Sequence, residues 1–531
     1  MVFLFSFFWY LRTARALLFS LYLWQLKEYH IGRFLDHFRT HKGRRILFHP
    51  FLAAKLALLG LWFVAPGAAA AFLLAVYVAE TGLFLRALRR GTLLYPVLTR
   101  KTAVLMVSAA LAQTLFLAAV VLYVPGYLFI SLLLFDFFSL IIGSAVVLFW
   151  QPYALLERSR ILKKAAAKRK SLKGLKVVGI TGSYGKTSTK EFLSHVLSSK
   201  FAVVKTPEHV NSEMGIARTI LYNLTDEHMV FICEMGAYGK GGIKLLADMV
   251  QPSLGIITGV NSQHLALFGS EANLISAEGG GELVSALPPG SALVLNYESL
   301  RLREYSHWLQ LWNPSLGRYI WCAVGKKQDV WAKGVEVKKD RLSFTLVKGK
   351  DEGRVEAAVA GGWNTENMVL AGAAALELGM SVAEVARALC AAPPELSSLR
   401  IKEGKGFEIL DSSYSANLDG VKAALGHLKL WEGKKILVMP PLIELGSEGK
   451  STHEEIGRNI AQACDYAVIA GMDYRAELLA GAKEGGMGED RMTFTEDAGK
   501  IAGKVLSLAT KGDAVLLEGR VPPGVLPLLK L

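Results

Sequence analysis

The chain has 531 residues, a hydrophobic fraction of 52%, a mean hydropathy of +0.32 and a formal net charge of +14 at pH 7. That length accommodates about three domains. The four cysteines (Cys233, Cys322, Cys390 and Cys464) form no CxxC pair, which excludes a zinc-ribbon or disulfide-framework reading and fits a reducing cytoplasm. The cations gather beside apolar segments rather than among aromatics on a folded face, so the charge does not point to nucleic acid.

Apolar windows over Val2–Trp24, Leu47–Val64, Ala68–Leu85, Thr102–Val124 and Tyr127–Trp150 predict a transmembrane domain of about five helices within residues 1–156. Arg12 and Arg15 interrupt the first window, which leaves an interfacial amphipathic helix as its rival. Lys27, Arg33, Arg39, Lys42, Arg44 and Arg45 fill the first connection, and Arg86, Arg89, Arg90, Arg100 and Lys101 the third. The turns at Pro66-Gly67 and Pro125-Gly126 carry no cation. By the positive-inside rule the N-terminus lies outside and everything after Trp150 lies in the cytoplasm, on a multi-pass protein of the inner membrane. No basic start or cleavage site suggests a signal peptide. Glu80 and Asp136 fall within or near spans, where a carboxylate either pairs inside the bundle or serves a function.

Residues 157–175 read as a basic cytoplasmic linker, with Arg158, Arg160, Lys163, Lys164, Lys168, Arg169 and Lys170 placed to lie against anionic lipid. Next, Val177 to Glu191 (VVGITGSYGKTSTKE) is an apolar run breaking into a glycine-rich turn and a helix-like segment. A strand entering such a turn aims backbone N–H groups and a helix N-terminus at one spot, which suits polyphosphate oxygens. Thr181, Gly182, Ser183, Tyr184, Gly185, Lys186, Thr187 and Ser188 form this candidate ATP-binding loop. Lys186 would reach the β/γ-phosphates and Thr187 would sit on Mg²⁺. The spacing departs from GxxxxGK[ST], since Ile180 stands where the first glycine would be.

Further on, short apolar runs (VFICEMGA, SLGIITGV) alternate with helical patterns, as in a parallel α/β sheet with crossover helices. Ligand-binding residues collect at the carboxyl ends of such strands, so Glu234 and His264 are placed to face Lys186.

TGSYGKTSTKE, TPEHVNSEMGIARTIL, FICEMGAYGKGGI, ITGVNSQHLALFGS, GGWNTENMVLAGAAAL and LDSSYSANLDGVKAAL, in this order, resemble the Mur ligase family over about residues 176–531. The resemblance implies a central P-loop ATPase domain over 176–395 and a Rossmann-like C-terminal domain over 396–531. It implies ligation in which a carboxylate takes the γ-phosphate of ATP and an amine then displaces phosphate. The implied donor is a muramoyl-peptide and the implied acceptor D-alanyl-D-alanine, in peptidoglycan precursor synthesis. Carried over by position, Lys186, Glu234 and His264 would be catalytic, with Thr187 and Glu234 on the first Mg²⁺. Asn364 and Asn367 would lie near adenine, and Arg400 and Asp411 would close over ATP. Asn211, Tyr414 and Asn417 would touch substrate.

The departures are as informative. Where many members carry a carbamylated lysine, this chain reads EANLISAEGGGEL; counting forward selects Glu278 as its counterpart, and counting back selects Gly280. Glu278 would supply as a side-chain carboxylate, on a metal, the charge that carbamylation creates elsewhere. Trp363 replaces a histidine, Ser415 an asparagine and Glu518 a lysine, and Pro440-Pro441 precedes IELG. The family's soluble N-terminal domain, which grips the uridine nucleotide, is replaced by the apolar segment. Either the nucleotide end is held differently or the donor is presented at the bilayer on a lipid carrier. Two other readings remain: a ligase for another carboxylate of lipid-linked or polyglutamyl type, and a nucleotide-binding scaffold of cell-wall assembly whose ligase site has decayed.

Overall fold

The computed structural model describes residues 2–530 apart from 39, 41, 42, 45, 47, 48, 92, 209, 262–264, 414, 415 and 444. His264 and Tyr414 therefore lie outside the described residues. The chain divides into two compact units, Met1–Ser159 and Arg160–Leu531.

Unit 1 is helical: α1 (Val2–Leu26), α2 (Ile31–His37), α3 (Pro50–Trp62), α4 (Pro66–Arg89), α5 (Arg100–Tyr123), α6 (Leu128–Phe137) and the start of α7 (Ser139–Ser171). Four of these, α1, α4, α5 and α7, are long and apolar enough to cross a membrane. This corrects the expected five. The second window becomes α3, whose 13 residues reach only about 20 Å at 1.5 Å per residue, short of a hydrocarbon core of about 30 Å. The fifth window is broken at Phe138 into α6 and α7.

Among the described residues, four charges from four helices meet inside the unit. Arg12 of α1 meets Glu80 of α4 at 2.7 Å and Asp136 of α6 at 3.5 Å, while Lys55 of α3 meets the same two carboxylates at 2.5 and 2.6 Å. Two cations against two anions leave the cluster neutral, which is the condition for keeping charge out of water. Arg12 is thus held inside rather than on a polar face, while Arg15 stacks its guanidinium over Phe84 at 5.9 Å. Trp9 donates its indole N–H to the Leu132 carbonyl at 2.7 Å, and Gln113 donates to Thr13 at 2.6 Å, so these polar groups on and beside α1 are also paired.

Unit 2 begins with the end of α7, and here the expectation of a linker fails: the segment is helical to Ser171. Ala165 and Arg169 are buried. Arg169 donates to the carbonyls of Val250, Gln251, Leu172 and Leu175 at 2.8, 3.4, 3.3 and 3.3 Å, and Lys168 to that of Leu221 at 2.9 Å. These carbonyls lie at helix C-termini and turns, where unpaired acceptors attract cations. Two of the basic residues are therefore structural staples, while Lys163, Lys164 and Lys170 remain exposed.

The first sheet has nine strands: β1 (Lys176–Thr181), β2 (Val203–Lys205), β3 (Val230–Glu234), β4 (Leu254–Ile257), β5 (Ala292–Asn296), β6 (Arg318–Val324), β7 (Val330–Val337), β8 (Leu342–Lys348) and β9 (Asp351–Ala357). Their order is β2-β3-β1-β4-β5-β6-β7-β8-β9, parallel as far as β7 and antiparallel beyond. β1 is buried on both faces because Val178 and Ile180 pack with α8 (Lys186–Ser198), whereas Val177 packs with α9 (Glu213–Tyr222) and α10 (Gly242–Val250). That two-sided burial explains its unbroken apolar run.

The second sheet contains β10 (Arg400–Glu403), β11 (Glu408–Ser412), β12 (Lys435–Met439), β13 (Tyr466–Ile469), β14 (Met492–Phe494) and β15 (Ala514–Glu518), in the order β10-β11-β15-β12-β13-β14. Only β10 is antiparallel, and apolar clusters cover both faces. β15, last in sequence, inserts between β11 and β12, so the carboxyl ends of these three strands form the switch point where such sheets bind ligands.

Candidate active site

β1 ends at Thr181 and the chain turns through Gly182–Gly185 into α8. Gly182 has φ 141° and Gly185 has φ 76°, conformations that L side chains rarely adopt. A Cβ on Gly182 would lie 2.2 Å from the Thr258 hydroxyl, and one on Gly185 would lie 2.8 Å from the Asn367 amide oxygen. The loop is pinned from beneath: Ser183 N–H donates to the Gly259 carbonyl at 2.7 Å, and Thr258 donates to the Thr181 carbonyl at 3.2 Å and to that of Tyr184. Lys186 and Thr187 open α8, with Ser188 half-buried in the same turn. The Lys186 ammonium folds back onto the carbonyls of Gly182 and Ser183.

Glu234 ends β3 with 1% of its surface exposed. Its Oε1 accepts from the Thr187 hydroxyl at 3.1 Å and from the Asn211 amide at 3.2 Å, and its Oε2 faces the Lys190 ammonium at 3.1 Å. β1 and β3 are parallel neighbours in register from Lys176↔Val230 to Ile180↔Glu234, so the carboxylate arrives beside the loop by strand pairing. Lys190, which the sequence reading did not single out, is fully buried. Its signal was present in the sequence, four residues after Lys186 on the same helical face.

Glu278 reaches the loop from the far side. Its carboxylate, 2% exposed, accepts from the Ser183 hydroxyl at 2.9 Å. Gly280 is the residue before α11 (Gly281–Ala286), with φ 92°, and a Cβ there would lie 2.0 Å from Ile257 Cδ1. Of the two candidates counted from sequence, only Glu278 has a side chain at the glycine-rich loop.

The two asparagines differ. Asn367 lies under the loop, paired with Thr189 at 3.3 Å and Asn364 at 3.4 Å. Asn364 is wholly buried and spends its amide N–H groups on the Ala360 carbonyl at 2.7 Å and the Ser397 hydroxyl at 3.0 Å, tying the two sheets' segments together. Glu366 between them turns the other way, to Asn296 at 3.0 Å. Burial raises its carboxyl above the usual range, with Asn296 opposing, and burial beside Glu366 raises the Tyr184 phenol. Trp363, at the position of the family's histidine, packs into the apolar cluster of the second sheet and meets His427 edge-on at 6.0 Å.

From the second sheet, Arg400 and Asp411 are register partners across β10 and β11. Arg400 is exposed, whereas Asp411 is buried and bonded to Lys402 and Ser413. Burial pushes the Asp411 carboxyl up, but Lys402 and Ser413 outweigh it and hold it below the usual range. Asn417 caps the helix Leu418–Leu428 by accepting from Gly420 N–H at 2.9 Å. Asp419 of that helix accepts from Asn261 of the first domain at 3.1 Å, and Arg301 approaches Glu448 at 3.8 Å. Both sheets thus present their carboxyl ends to shared contacts.

Residues 180–375 match the Mur ligase middle domain, and residues 399–521 match the Mur ligase, glutamate ligase domain. Over 393 residues the chain is 32% identical to the UDP-N-acetylmuramoyl-tripeptide--D-alanyl-D-alanine ligase of Mycobacterium bovis, covering 71% of this chain and 74% of that one. The chain belongs to the Mur ligase family. It is an ATP-dependent carboxylate–amine ligase of that family, with a helical N-terminal region. Its fold is similar to MurF from Acinetobacter baumannii, with a TM-score of 0.61 and 24% identity over 68% of this chain and 78% of that one. MurF ligase from Thermotoga maritima in complex with ADP gives 0.59 and 23% over 70% and 83%.

Proposed function

We propose that the chain adds D-alanyl-D-alanine to a muramoyl-peptide carboxylate in peptidoglycan precursor synthesis, with unit 1 in the inner membrane, the N-terminus outside and the ligase domains in the cytoplasm. The observation that carries the catalytic part is the buried Glu234, which gathers Thr187 and Asn211 on one oxygen beside a glycine-shaped phosphate loop. The membrane part rests on four apolar helices and on the cations between them.

In this reading the loop N–H groups and the α8 N-terminus hold the ATP phosphates, and Lys186 leaves its own carbonyls for the β/γ-phosphates. A donor carboxylate oxygen attacks the γ-phosphorus as the bond to ADP breaks. The acceptor nitrogen then attacks the acyl carbon, phosphate leaves, and the amine gives up a proton. Among the described residues no three of His, Cys, Asp and Glu converge as a metal cage. Mg²⁺ is usually held by one or two carboxylates together with substrate phosphates, so the hard oxygen donors of Thr187 and Glu234 fit it. When bound, the ion would neutralise charge on the transferring phosphoryl group.

Glu278 would provide the second metal carboxylate, and His264 would assist it. Asn367 would steady the loop under the nucleotide, while Arg400 and Asp411 would complete the site from the second sheet. Asn211, Tyr414 and Asn417 would line the substrate cleft. Asn364 is better read as a joint between the domains than as an adenine ligand, because its amide N–H groups are taken.

The test uses the full chain in detergent or nanodiscs, supplied with ATP, Mg²⁺, UDP-muramoyl-tripeptide and D-alanyl-D-alanine. Phosphate release is expected only with donor and acceptor together. Release only with a lipid-linked or polyglutamyl donor would reassign the carboxylate. Nucleotide binding without release from any pair would leave a scaffold.

A further inference from the structure

Lys190 is completely buried, one helical turn beyond Thr187 on α8. Its ammonium contacts Glu234 Oε2 at 3.1 Å, the Pro207 carbonyl at 3.2 Å and Glu191 Oε1 at 3.5 Å. It has no surface from which to touch ATP or either substrate. Its three partners come from three segments: the end of β3, the chain after β2 that leads to Asn211, and α8 itself. The Asn211 carbonyl in turn accepts from Gly236 N–H at 3.0 Å, just past Glu234.

We propose that Lys190 is a positioning residue for the metal carboxylate: it fixes the Glu234 rotamer by binding Oε2, and so leaves Oε1 aimed at Thr187 and Asn211, where the ion would be held. This rests on the Mg²⁺ reading of the Thr187–Glu234 pair given above. Two physical points support it. A buried carboxylate needs a compensating charge, and among the described residues Lys190 is the cation that forms an ion pair with it, at 3.1 Å. A side chain that must present one oxygen to a ligand is best oriented by a bond to its other oxygen, the role that outer partners play for metal ligands generally. The lysine also ties this carboxylate to the helix bearing Lys186 and Thr187, so the phosphate and metal contacts share one rigid element.

The experiment compares Lys190→Met, Lys190→Gln, Glu234→Gln and Lys190→Met/Glu234→Gln in the full chain. Three quantities are measured: nucleotide affinity without divalent ion, Mn²⁺ affinity of the nucleotide complex by electron paramagnetic resonance, and the Mg²⁺ concentration for half-maximal phosphate release. Lys190→Met is expected to weaken Mn²⁺ binding and raise the Mg²⁺ requirement at least tenfold, with metal-free nucleotide affinity changed less than twofold. The double variant should bind Mn²⁺ no more weakly than Glu234→Gln alone. If Lys190→Met does not fold, Lys190→Gln and the double variant, which carries no uncompensated charge, supply the same comparison. An unchanged metal affinity in folded Lys190 variants, with Glu234→Gln impaired, overturns the inference. An unimpaired Glu234→Gln overturns the underlying metal reading instead.

Discussion

Ser183, in the glycine-rich turn after β1, donates its hydroxyl to Glu278 at 2.9 Å across 95 residues of sequence. The bond links the loop to one of the two positions at which the counterpart of the family's carbamylated lysine was sought. If Glu278 serves the second metal, Glu278→Gln keeps the bond to Ser183 but removes the charge. The expected loss in turnover is about 10²–10³-fold, typical of removing one electrostatic contact to a transition state. Phosphate release with saturating ATP reads it, and wild-type turnover in Glu278→Gln would reduce the carboxylate to a loop brace.

Gly280 should resist replacement. Its φ is 92° and an added Cβ would lie 2.0 Å from Ile257 Cδ1, so Gly280→Lys is expected to destabilise the domain built on the nine-stranded sheet. The left-handed backbone alone costs about 1–2 kcal/mol, before Ile257 moves. A lowered thermal midpoint without recovered activity is the expected result; a stable, more active variant would restore Gly280 as the lysine's counterpart.

Lys186→Ala should abolish substrate-dependent phosphate release while leaving the fold intact. Among the described residues Lys186 bonds only to the carbonyls of Gly182 and Ser183, so its removal strands no buried partner there. Circular dichroism and phosphate release on the same preparation make the comparison.

Glu518 gives a pH signature. It ends β15 opposite Ser412, is 1% exposed, and burial raises its carboxyl to about 8, with Ser412 opposing. The folded chain keeps this proton after the unfolded chain has lost it, so its contribution to stability falls as pH rises from about 4.5 to about 8. The slope is about 1.4 kcal/mol per pH unit and levels off above that window. Glu518→Gln should therefore be more stable than wild type at pH 8, with the difference vanishing below pH 4.5. Thermal midpoints at pH 4.5, 6 and 8 test it; equal gains at all three would assign the effect to packing.

The charge cluster inside unit 1 should behave as a charge-balanced set. Glu80→Leu leaves Arg12 and Lys55 facing Asp136 alone, and breaking a buried pair costs about 3–5 kcal/mol. Glu80→Leu/Lys55→Met restores neutrality and should recover most of that loss. Midpoints of unfolding in detergent report both.

Much of the catalytic half was legible because its signals are local. Glycines at 182 and 185, the Lys186-Thr187 pair and the apolar β1 run are consecutive residues whose backbone demands and burial are visible in one stretch of chain. Glu234 was legible as the last residue of a buried strand. Lys190 was passed over because a lysine in an amphipathic helix looks solvated until the strand beside it is known. The bonds of Asn364 to Ala360 and Ser397 were not foreseen, because an asparagine at a helix start gives no sign of where its amide turns. The five-span count fell to four at α3 because hydropathy counts apolar residues and does not see how short the helix is.

By itself, then, the sequence determined the order of domains, the glycine-rich loop after β1, the family and the apolar N-terminal region, all set by composition and short-range pattern. Only the tertiary structure brought Glu278 to Ser183, paired Lys190 with Glu234, and placed Arg12 and Lys55 against Glu80 and Asp136. Those outcomes depend on which side chains meet across tens to hundreds of residues. Strand register and helix packing fix such meetings, and no local spacing encodes them.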